Sequence, residues 1–207
     1  LKILNEMGFS SDPEFKIIFD DGYESIFDIA LPLMQKYGFK GTVFPVVNYI
    51  GKMNDWDVTF GGINKARHLS RKQLKELSKN GWEIGSHGLT HTAFTSLPEK
   101  KLNIELQQSK LLLEDISNQE IISITPPFSL LNNQIKTLIL SCGYKKIYYQ
   151  HGFNFHNDDV MIPRHSVYSI DGKNSILRKV YNSKLEITKE LFVQKFSTLT
   201  VLVKEIL

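Results

Sequence analysis

The sequence predicts an α/β protein in which a parallel sheet is covered by helices. Short runs rich in β-branched and aromatic residues alternate with amphipathic segments of ten or more residues. The first run stops abruptly at two acids and a glycine, as a strand does before a turn. The chain has 207 residues and is 42% hydrophobic, which suffices for one good core. We therefore expect a single domain over residues 1–207.

The first β-α unit occupies residues 16–38. KIIF (16–19) is the predicted strand, and SIFDIALPLMQKYG (25–38) is the predicted helix, with Gly38 as its stop signal. The apolar positions that we expect to face the core are Ile26, Ile29, Ala30, Leu33 and Met34.

The alternation continues along the rest of the chain. Further strands are predicted at 42–47, from Trp82 onward, at 121–125, at 145–150 and at 160–169. Further helices are predicted at 71–81, with Ser70 as N-cap and Gly81 as stop, and at 102–116, 133–140 and 187–207. This pattern implies an open parallel sheet or a barrel, with the chemistry at the carboxyl ends of the strands.

Charge and hydropathy exclude several classes of protein. The 25 basic and 22 acidic residues are spread along the chain and give a net charge of +3, so neither a nucleic-acid-binding arm nor a polybasic membrane patch is present. No segment approaches the roughly 18 consecutive apolar residues of a membrane-spanning helix. A single cysteine, Cys142, excludes an internal disulfide. The chain starts at Leu1 and not at Met, which leaves an upstream signal, anchor or domain open.

Two adjacent carboxylates, Asp20 and Asp21, follow the first predicted strand and precede Gly22. Mutual repulsion and desolvation disfavour such a pair unless a cation or a proton-transfer task holds it there. An Asp-Gly pair also suits an ordinary solvated turn. At the carboxyl end of a strand that turns at a glycine, both side chains can reach one cleft.

Two imidazoles, His87 and His91, follow the third predicted strand at a spacing of four residues. Both can reach one ion if the segment turns, although an isolated pair of this kind is also common in ordinary loops. One carboxylate and two imidazoles give three protein ligands and leave a position open for water, which is typical of a catalytic zinc site. The second aspartate can then take the proton from that water.

The ordered set FDDG, SHGLTH and PPF resembles the polysaccharide deacetylases of the NodB-homology type, carbohydrate esterase family 4, from about Phe15 to Ser169. The resemblance implies a distorted (β/α) barrel that removes acetyl groups from N-acetylated sugars. It also implies a divalent metal, most simply zinc, with cobalt, nickel or manganese as alternatives. On this resemblance Asp20 is the general base, and Asp21 binds the metal with His87 and His91.

The third motif of the family supplies a backbone N–H that stabilises an oxyanion, and it matches Phe128, beside substrate-facing Pro127. A proline-rich strand exit with a core phenylalanine is the alternative interpretation. Many members carry an arginine just before the prolines, where it orients the base, but this chain has Thr125. That departure indicates a subgroup of the family.

The late Leu-x-His motif that supplies the family's general acid is not evident. A leaving amine must be protonated, and His165 is the best-placed candidate by order, followed by His156 and His151. Each of the three can equally be an ordinary loop or strand histidine.

Residues outside the motifs receive weaker predictions. Trp56 is expected either to stack on a sugar face or to lie in the core. Arg67 and His68 are interpreted as surface residues and Trp82 as a core residue. Arg164 can pair with an acid near the site, but the sequence identifies no partner.

Three functions follow from these patterns. The first is a metal-dependent hydrolase that removes N-acetyl groups from an N-acetylated glycan, which would be its partner. The second is a related carbon-nitrogen hydrolase acting on a small amide, and the third is a glycan-binding module that keeps the metal without turnover. The resemblance slightly favours an extracytoplasmic or cell-envelope location over a cytoplasmic one, and the sequence leaves the oligomeric state open.

Overall fold

Six parallel strand segments form the centre of the molecule. A computed structural model describes residues 1, 4, 16–55, 66–150, 159–168, 170–181 and 187–189. The strands are β1 (Ile17–Asp21), β2 (Gly41–Pro45), β3 (Glu83–Ile84), β4 (Ser123–Ile124), β5 (Lys146–Gln150) and β6 (Met161–Arg164). They pair in parallel as β1-β2-β3 and as β4-β5-β6. A parallel bridge between Ser86 and Ile124 joins the two groups in chain order.

Helices follow the strands and cover the outside of this sheet. They are α1 (Leu31–Lys36), α2 (Arg71–Lys79), α3 (Glu99–Ser117), α4 (Asn133–Ser141) and α5 (Lys173–Val180). The observed order of strands and helices confirms the predicted α/β class and the distorted (β/α) barrel. Because the strands within the described residues are all parallel, their carboxyl ends meet at one rim.

The first helical segment differs from its prediction in phase. A π-helical turn at Ile26–Ala30 precedes α1, and each π turn takes up more residues than an α turn. The buried side chains of the two elements are Ile26, Leu31 and Met34. Two positions expected in the core, Ile29 and Leu33, are instead 66% and 44% exposed. The uniform 3.6-residue period was therefore wrong for this segment.

Helix α2 begins and ends where the sequence predicts. The Ser70 side chain accepts the N–H of Gln73, and the Gln73 side chain accepts the N–H of Ser70, which is a complete capping box. Beyond the last turn, Gly81 has a φ of 77°, which only glycine adopts readily. These local signals place Leu74 and Leu77 in the core, where both are fully buried.

The core lies between the sheet and the helices. Trp82 is 1% exposed and stacks on Phe19, which confirms its core assignment. The four apolar positions predicted for the long helix, Leu102, Leu106, Leu113 and Ile116, are buried on one face of α3. Burial of each such side chain contributes about 1.5–3 kcal/mol to folding.

Some predictions concern segments that lie outside the described residues. These are Trp56, His151, His156 and most of the helix predicted at 187–207. Conversely, α5 was not predicted, although Ile176, Leu177 and Val180 have helical spacing after Gly172. None of the described helices is long and apolar enough to cross a membrane.

Candidate metal centre and active site

Strand β1 delivers both carboxylates to the rim of the barrel. The strand continues through Asp20 and Asp21, beyond the predicted end of KIIF. Asp21 has a left-handed backbone with a φ of 64°, and Gly22 follows with a φ of 72°. A Cβ atom at Gly22 would lie 2.8 Å from the Cβ of Pro45, so that position requires glycine for space as well as conformation.

A buried histidine hydrogen-bonds to the backbone of this turn. The ring of His68 is 1% exposed and lies between Tyr23 and Tyr49. Its Nδ1 donates to the carbonyl oxygen of Asp21 across 2.9 Å, because a carbonyl can only accept. The interpretation of His68 as a surface residue was therefore wrong, whereas the side chain of Arg67 is 54% exposed, as predicted.

The loop after β3 brings two imidazoles to Asp21. Oδ1 of Asp21 lies 3.4 Å from Nε2 of His87 and 3.4 Å from Nε2 of His91. One ligand atom from each residue lies within 4.8 Å of the other two. Ligands held tetrahedrally at about 2.0–2.1 Å from a zinc ion are separated by about 3.3–3.4 Å. The two distances of 3.4 Å therefore fit a small cation with tetrahedral coordination.

The tautomer of His87 also fits a cation. His87 is 3% exposed, and its Nδ1 donates to the carbonyl oxygen of Thr125 across 2.7 Å. In a neutral imidazole the proton is then on Nδ1, so the lone pair of Nε2 faces the carboxylate oxygen of Asp21. Two electron-rich atoms facing each other are favourable when a metal ion lies between them, and metal-ligating histidines commonly donate their other ring N–H to a carbonyl.

Asp20 is held by an arginine from the last strand. Nη1 and Nη2 of Arg164 donate to its two carboxylate oxygens across 2.7 and 2.5 Å. Nη2 also donates to the hydroxyl of Thr125 across 2.9 Å. Arg164 lies at the carboxyl end of β6, so this fork joins the last strand of the barrel to the first.

Neighbouring groups lower the pKa of Asp20. Burial raises this pKa, but the Arg164 guanidinium together with the His87 and His91 imidazoles outweighs burial, and the net pKa lies below the ordinary value. About a third of the carboxylate side chain, 32%, remains accessible. Asp20 is therefore an ionised, oriented and partly accessible carboxylate beside the Asp21, His87 and His91 group.

The turn after β4 closes the site on another side. Pro127 is buried, and the ring of Phe128 packs against that of His91 with 4.8 Å between centroids. Ser129 and Leu130 donate their N–H groups to the carbonyls of Pro126 and Pro127. The N–H of Phe128 lies outside these turn hydrogen bonds, which agrees with the oxyanion role predicted for it without testing that role.

Strained backbone concentrates at this site. Among the described residues, the non-glycine positions with positive φ are Asp21, His91, Asn118, Phe128 and Ser129. Asn118 caps the end of α3, and the other four belong to the site motifs. Such conformations cost of order 1–3 kcal/mol each and persist where surrounding contacts impose them, commonly at functional sites.

His165 is half-buried and directly follows β6. Arg164, directly before it, hydrogen-bonds to Asp20. The general-acid role of His165 stays a prediction. No partner for Arg164 could be identified from the sequence, because its contact with Asp20 spans 144 positions.

A parallel (β/α) barrel with an acidic and two imidazole ligands at its rim, and a second carboxylate beside them, is typical of hydrolases that use a divalent ion. The family model described as polysaccharide deacetylase matches residues 10–147. The chain accordingly belongs to the polysaccharide deacetylase family, carbohydrate esterase family 4.

Curated relatives match over part of their length. YxkH of Bacillus subtilis, a polysaccharide deacetylase-type protein, is 29% identical over 129 residues, which are 62% of this chain and 42% of that protein. The poly-β-1,6-N-acetyl-D-glucosamine N-deacetylase of Staphylococcus aureus is 25% identical over 166 residues, which are 72% of this chain and 52% of that protein. The chain thus spans about half the length of these relatives.

Solved structures share the fold. The deacetylase PplD of Streptococcus pyogenes superposes with a TM-score of 0.71 at 18% identity, covering 86% of this chain and 82% of that one. A polysaccharide deacetylase from Bacillus cereus gives a TM-score of 0.69 at 19% identity, covering 86% of this chain and 58% of that one. At these identities the likeness concerns the barrel alone.

Proposed function

We propose that this chain is a metal-dependent deacetylase that hydrolyses the N-acetyl groups of an N-acetylated glycan. One observation carries the proposal: Asp21 Oδ1 lies 3.4 Å from Nε2 of both His87 and His91, with the oriented carboxylate of Asp20 adjacent in the chain. Family membership and the polymer named for the Staphylococcus aureus relative support a glycan as the substrate class.

Asp21, His87 and His91 would hold the ion, most simply zinc, because two neutral imidazoles and one carboxylate are its ordinary donors. When bound, a divalent ion lowers the pKa of water and polarises the amide carbonyl. Cobalt, nickel and manganese accept the same donors. The hydrogen bond from Nδ1 to the Thr125 carbonyl would leave Nε2 of His87 free to bind the ion.

Asp20 would act as the general base, taking a proton from the attacking water. Arg164 keeps this carboxylate ionised and fixed in orientation through two hydrogen bonds. Here Arg164 would fulfil the orienting role that other family members give to an arginine before the prolines, where this chain has Thr125. The N–H of Phe128 would stabilise the oxyanion, and His165 would protonate the leaving amine.

Pro127 would shape the cleft at Phe128, and Trp56 would contact the sugar. We further propose that residues 1–207 form one catalytic domain. An extracytoplasmic or cell-envelope location goes with a polymeric glycan substrate.

Acetate release from β-1,6- and β-1,4-linked N-acetylglucosamine oligomers tests the activity. Metal-stripped protein is assayed with zinc, with cobalt and with no addition, beside the Asp20→Asn variant. We expect metal-dependent acetate release that falls by about 10²–10⁴-fold in Asp20→Asn, while zinc binding is retained.

Two outcomes would contradict this proposal. Turnover of a small amide without turnover of either oligomer would favour the related carbon-nitrogen hydrolase. Stoichiometric zinc and oligomer binding without acetate from any oligomer would favour the glycan-binding module.

A further inference from the structure

The loop that carries His87 and His91 is attached to helix α3 by a buried carboxylate. Glu105 is 6% exposed, and its Oε2 accepts the N–H of Leu89 across 2.7 Å and that of Thr90 across 3.2 Å. Its Oε1 accepts the hydroxyl of Thr90 across 2.6 Å. One side chain thus satisfies three donors of the segment between the two imidazoles.

A second contact from the same helix face continues this attachment. Ser109 lies one helical turn after Glu105, and its hydroxyl is 2.9 Å from that of Ser86. The Ser86 hydroxyl in turn accepts the N–H of Gly88 across 3.1 Å. Both side chains of α3 therefore contact the loop through buried hydrogen bonds.

The opposite edge of the loop is held by the segment after β2. Val47 and Asn48 donate their N–H groups to the carbonyls of Gly88 and Leu89 across 3.1 and 2.9 Å. The loop is therefore fixed from both sides, with its carbonyls on the β2 side and its N–H groups on the α3 side.

We propose that Glu105 is a positioning residue for the metal centre. It holds the Leu89–Thr90 backbone so that His91 keeps its left-handed φ of 61° and its Nε2 stays 3.4 Å from Asp21. Without the carboxylate, the buried N–H of Leu89 and the part-buried N–H of Thr90 lose their acceptor, and the loop must rearrange to satisfy them. This inference rests on the metal site proposed above.

Zinc affinity measures this role independently of turnover. Metal-stripped wild type, Glu105→Ala, Glu105→Asp and Glu105→Gln are titrated with zinc in competition with a chromophoric chelator. Loss of groups that orient metal ligands commonly weakens affinity 10–100-fold, and we expect this for Glu105→Ala. Glu105→Asp is too short to reach the same donors and should weaken affinity about 10-fold, so it carries the test if Glu105→Ala does not fold.

The conservative variant separates positioning from charge. The amide oxygen of Glu105→Gln can still accept the two N–H groups, so we expect zinc affinity within about threefold of wild type. Cobalt-loaded Glu105→Ala should show an altered visible absorption spectrum, whereas cobalt-loaded Glu105→Gln should retain that of the wild type.

Glu114→Ala is the matched control on the same helix. The Glu114 carboxylate accepts the N–H of Ile121 across 3.0 Å, outside the loop that carries His87 and His91. Glu114→Ala should therefore leave zinc affinity unchanged even if it lowers thermal stability.

Three outcomes would overturn the inference. If folded Glu105→Ala and Glu105→Asp bound zinc as tightly as wild type, this inference would be overturned and the proposed function would stand. An equal loss in Glu114→Ala would do the same, because the effect would then come from general destabilisation. Absence of zinc binding by the wild type, or binding unchanged by His87→Ala, would contradict the proposed function and this inference with it.

Discussion

The half of the barrel formed by β1–β3 carries its candidate functional groups in two short segments, whereas the half formed by β4–β6 contributes single side chains from separate segments. The first half supplies Asp20, Asp21, His87 and His91. The second half supplies Arg164, which reaches Asp20 from the carboxyl end of β6. The first half thus carries the candidate metal ligands and the candidate base, whereas the second half contributes groups that hydrogen-bond to them.

Thr125 connects the two halves. Its carbonyl oxygen accepts Nδ1–H of His87, and its hydroxyl accepts Nη2–H of Arg164. Thr125, which directly follows β4, thus contacts the candidate ligand His87 through its backbone and Arg164 through its side chain.

The largest effect on activity is expected when a candidate metal ligand of the β1–β3 half is removed. His91→Ala should reduce zinc-dependent acetate release to background, because two remaining ligands hold zinc poorly. Equilibrium dialysis with zinc and the oligomer assay check this expectation. The exposed Arg71→Lys variant, whose ion pair with Asp115 is 60% and 70% exposed, serves as the neutral control. Full activity in His91→Ala would contradict the ligand assignment.

An intermediate effect is expected from the second half. Lysine cannot reproduce the two parallel hydrogen bonds of Arg164, so Arg164→Lys should lower kcat about 10–100-fold while zinc affinity is retained. Steady-state kinetics and zinc titration on the same preparation separate the two effects. A loss of zinc affinity equal to the loss of kcat would remove the distinction between the two halves.

A smaller effect is expected where the halves meet. Thr125→Val removes the hydroxyl that accepts from Arg164 but keeps the carbonyl that accepts from His87. Losing one such hydrogen bond corresponds to about 1 kcal/mol, or about fivefold in kcat. Zinc affinity should not change. A larger fall in zinc affinity than in kcat would show that the side chain serves the metal half instead.

The smallest effect on activity is expected at Asp171, which supports the segment after β6. Burial raises the pKa of Asp171, but hydrogen bonds from Lys179, from the N–H of Tyr168 and from Ser175 outweigh burial and lower it from 3.8 to about 2. The Asp171 side chain is 10% exposed, and Lys179 also donates to the carbonyl oxygen of Ser166. This shift corresponds to about 2 kcal/mol of folding free energy.

Because the folded pKa of Asp171 is depressed, its contribution is present above the unfolded value of 3.8 and is lost as pH falls through about 2. Asp171→Asn should therefore be less stable than wild type by about 2 kcal/mol at pH 7 and pH 5, and the difference should shrink below pH 4. Urea unfolding at each pH measures it, with exposed Asp115→Asn as the control. A difference that does not change with pH would assign the loss to hydrogen-bond geometry alone.

Local sequence signals predicted much of the fold. The N-cap at Ser70 and the stop at Gly81 were correct because capping depends on groups a few residues apart. The phase of the first helix was wrong because a π turn changes the period without a distinctive residue. Helix α5 was missed although its spacing was visible in the sequence.

The candidate site could be predicted from the sequence where its contacts are local in the chain, and not where they join distant segments. His68 resembled a surface residue because it precedes a helix in a polar stretch, yet its ring is buried against Tyr23 and Tyr49. Glu105 is one acid among several in an amphipathic helix, and only its burial against Leu89 and Thr90 distinguishes it.

The sequence by itself predicted the barrel class, the family and the four candidate site residues of the β1–β3 half, because strand-end motifs depend on neighbouring residues and a regular backbone period. Only the tertiary structure showed that Arg164 hydrogen-bonds to Asp20 and that Thr125 contacts both Arg164 and His87. The same holds for the contact of Glu105 with the loop that carries His87 and His91. The physical reason is that the fold places the carboxyl end of β6 within side-chain reach of the carboxyl end of β1. Two residues 144 positions apart then form an ion pair, and no local sequence pattern predicts which arginine pairs with which acid.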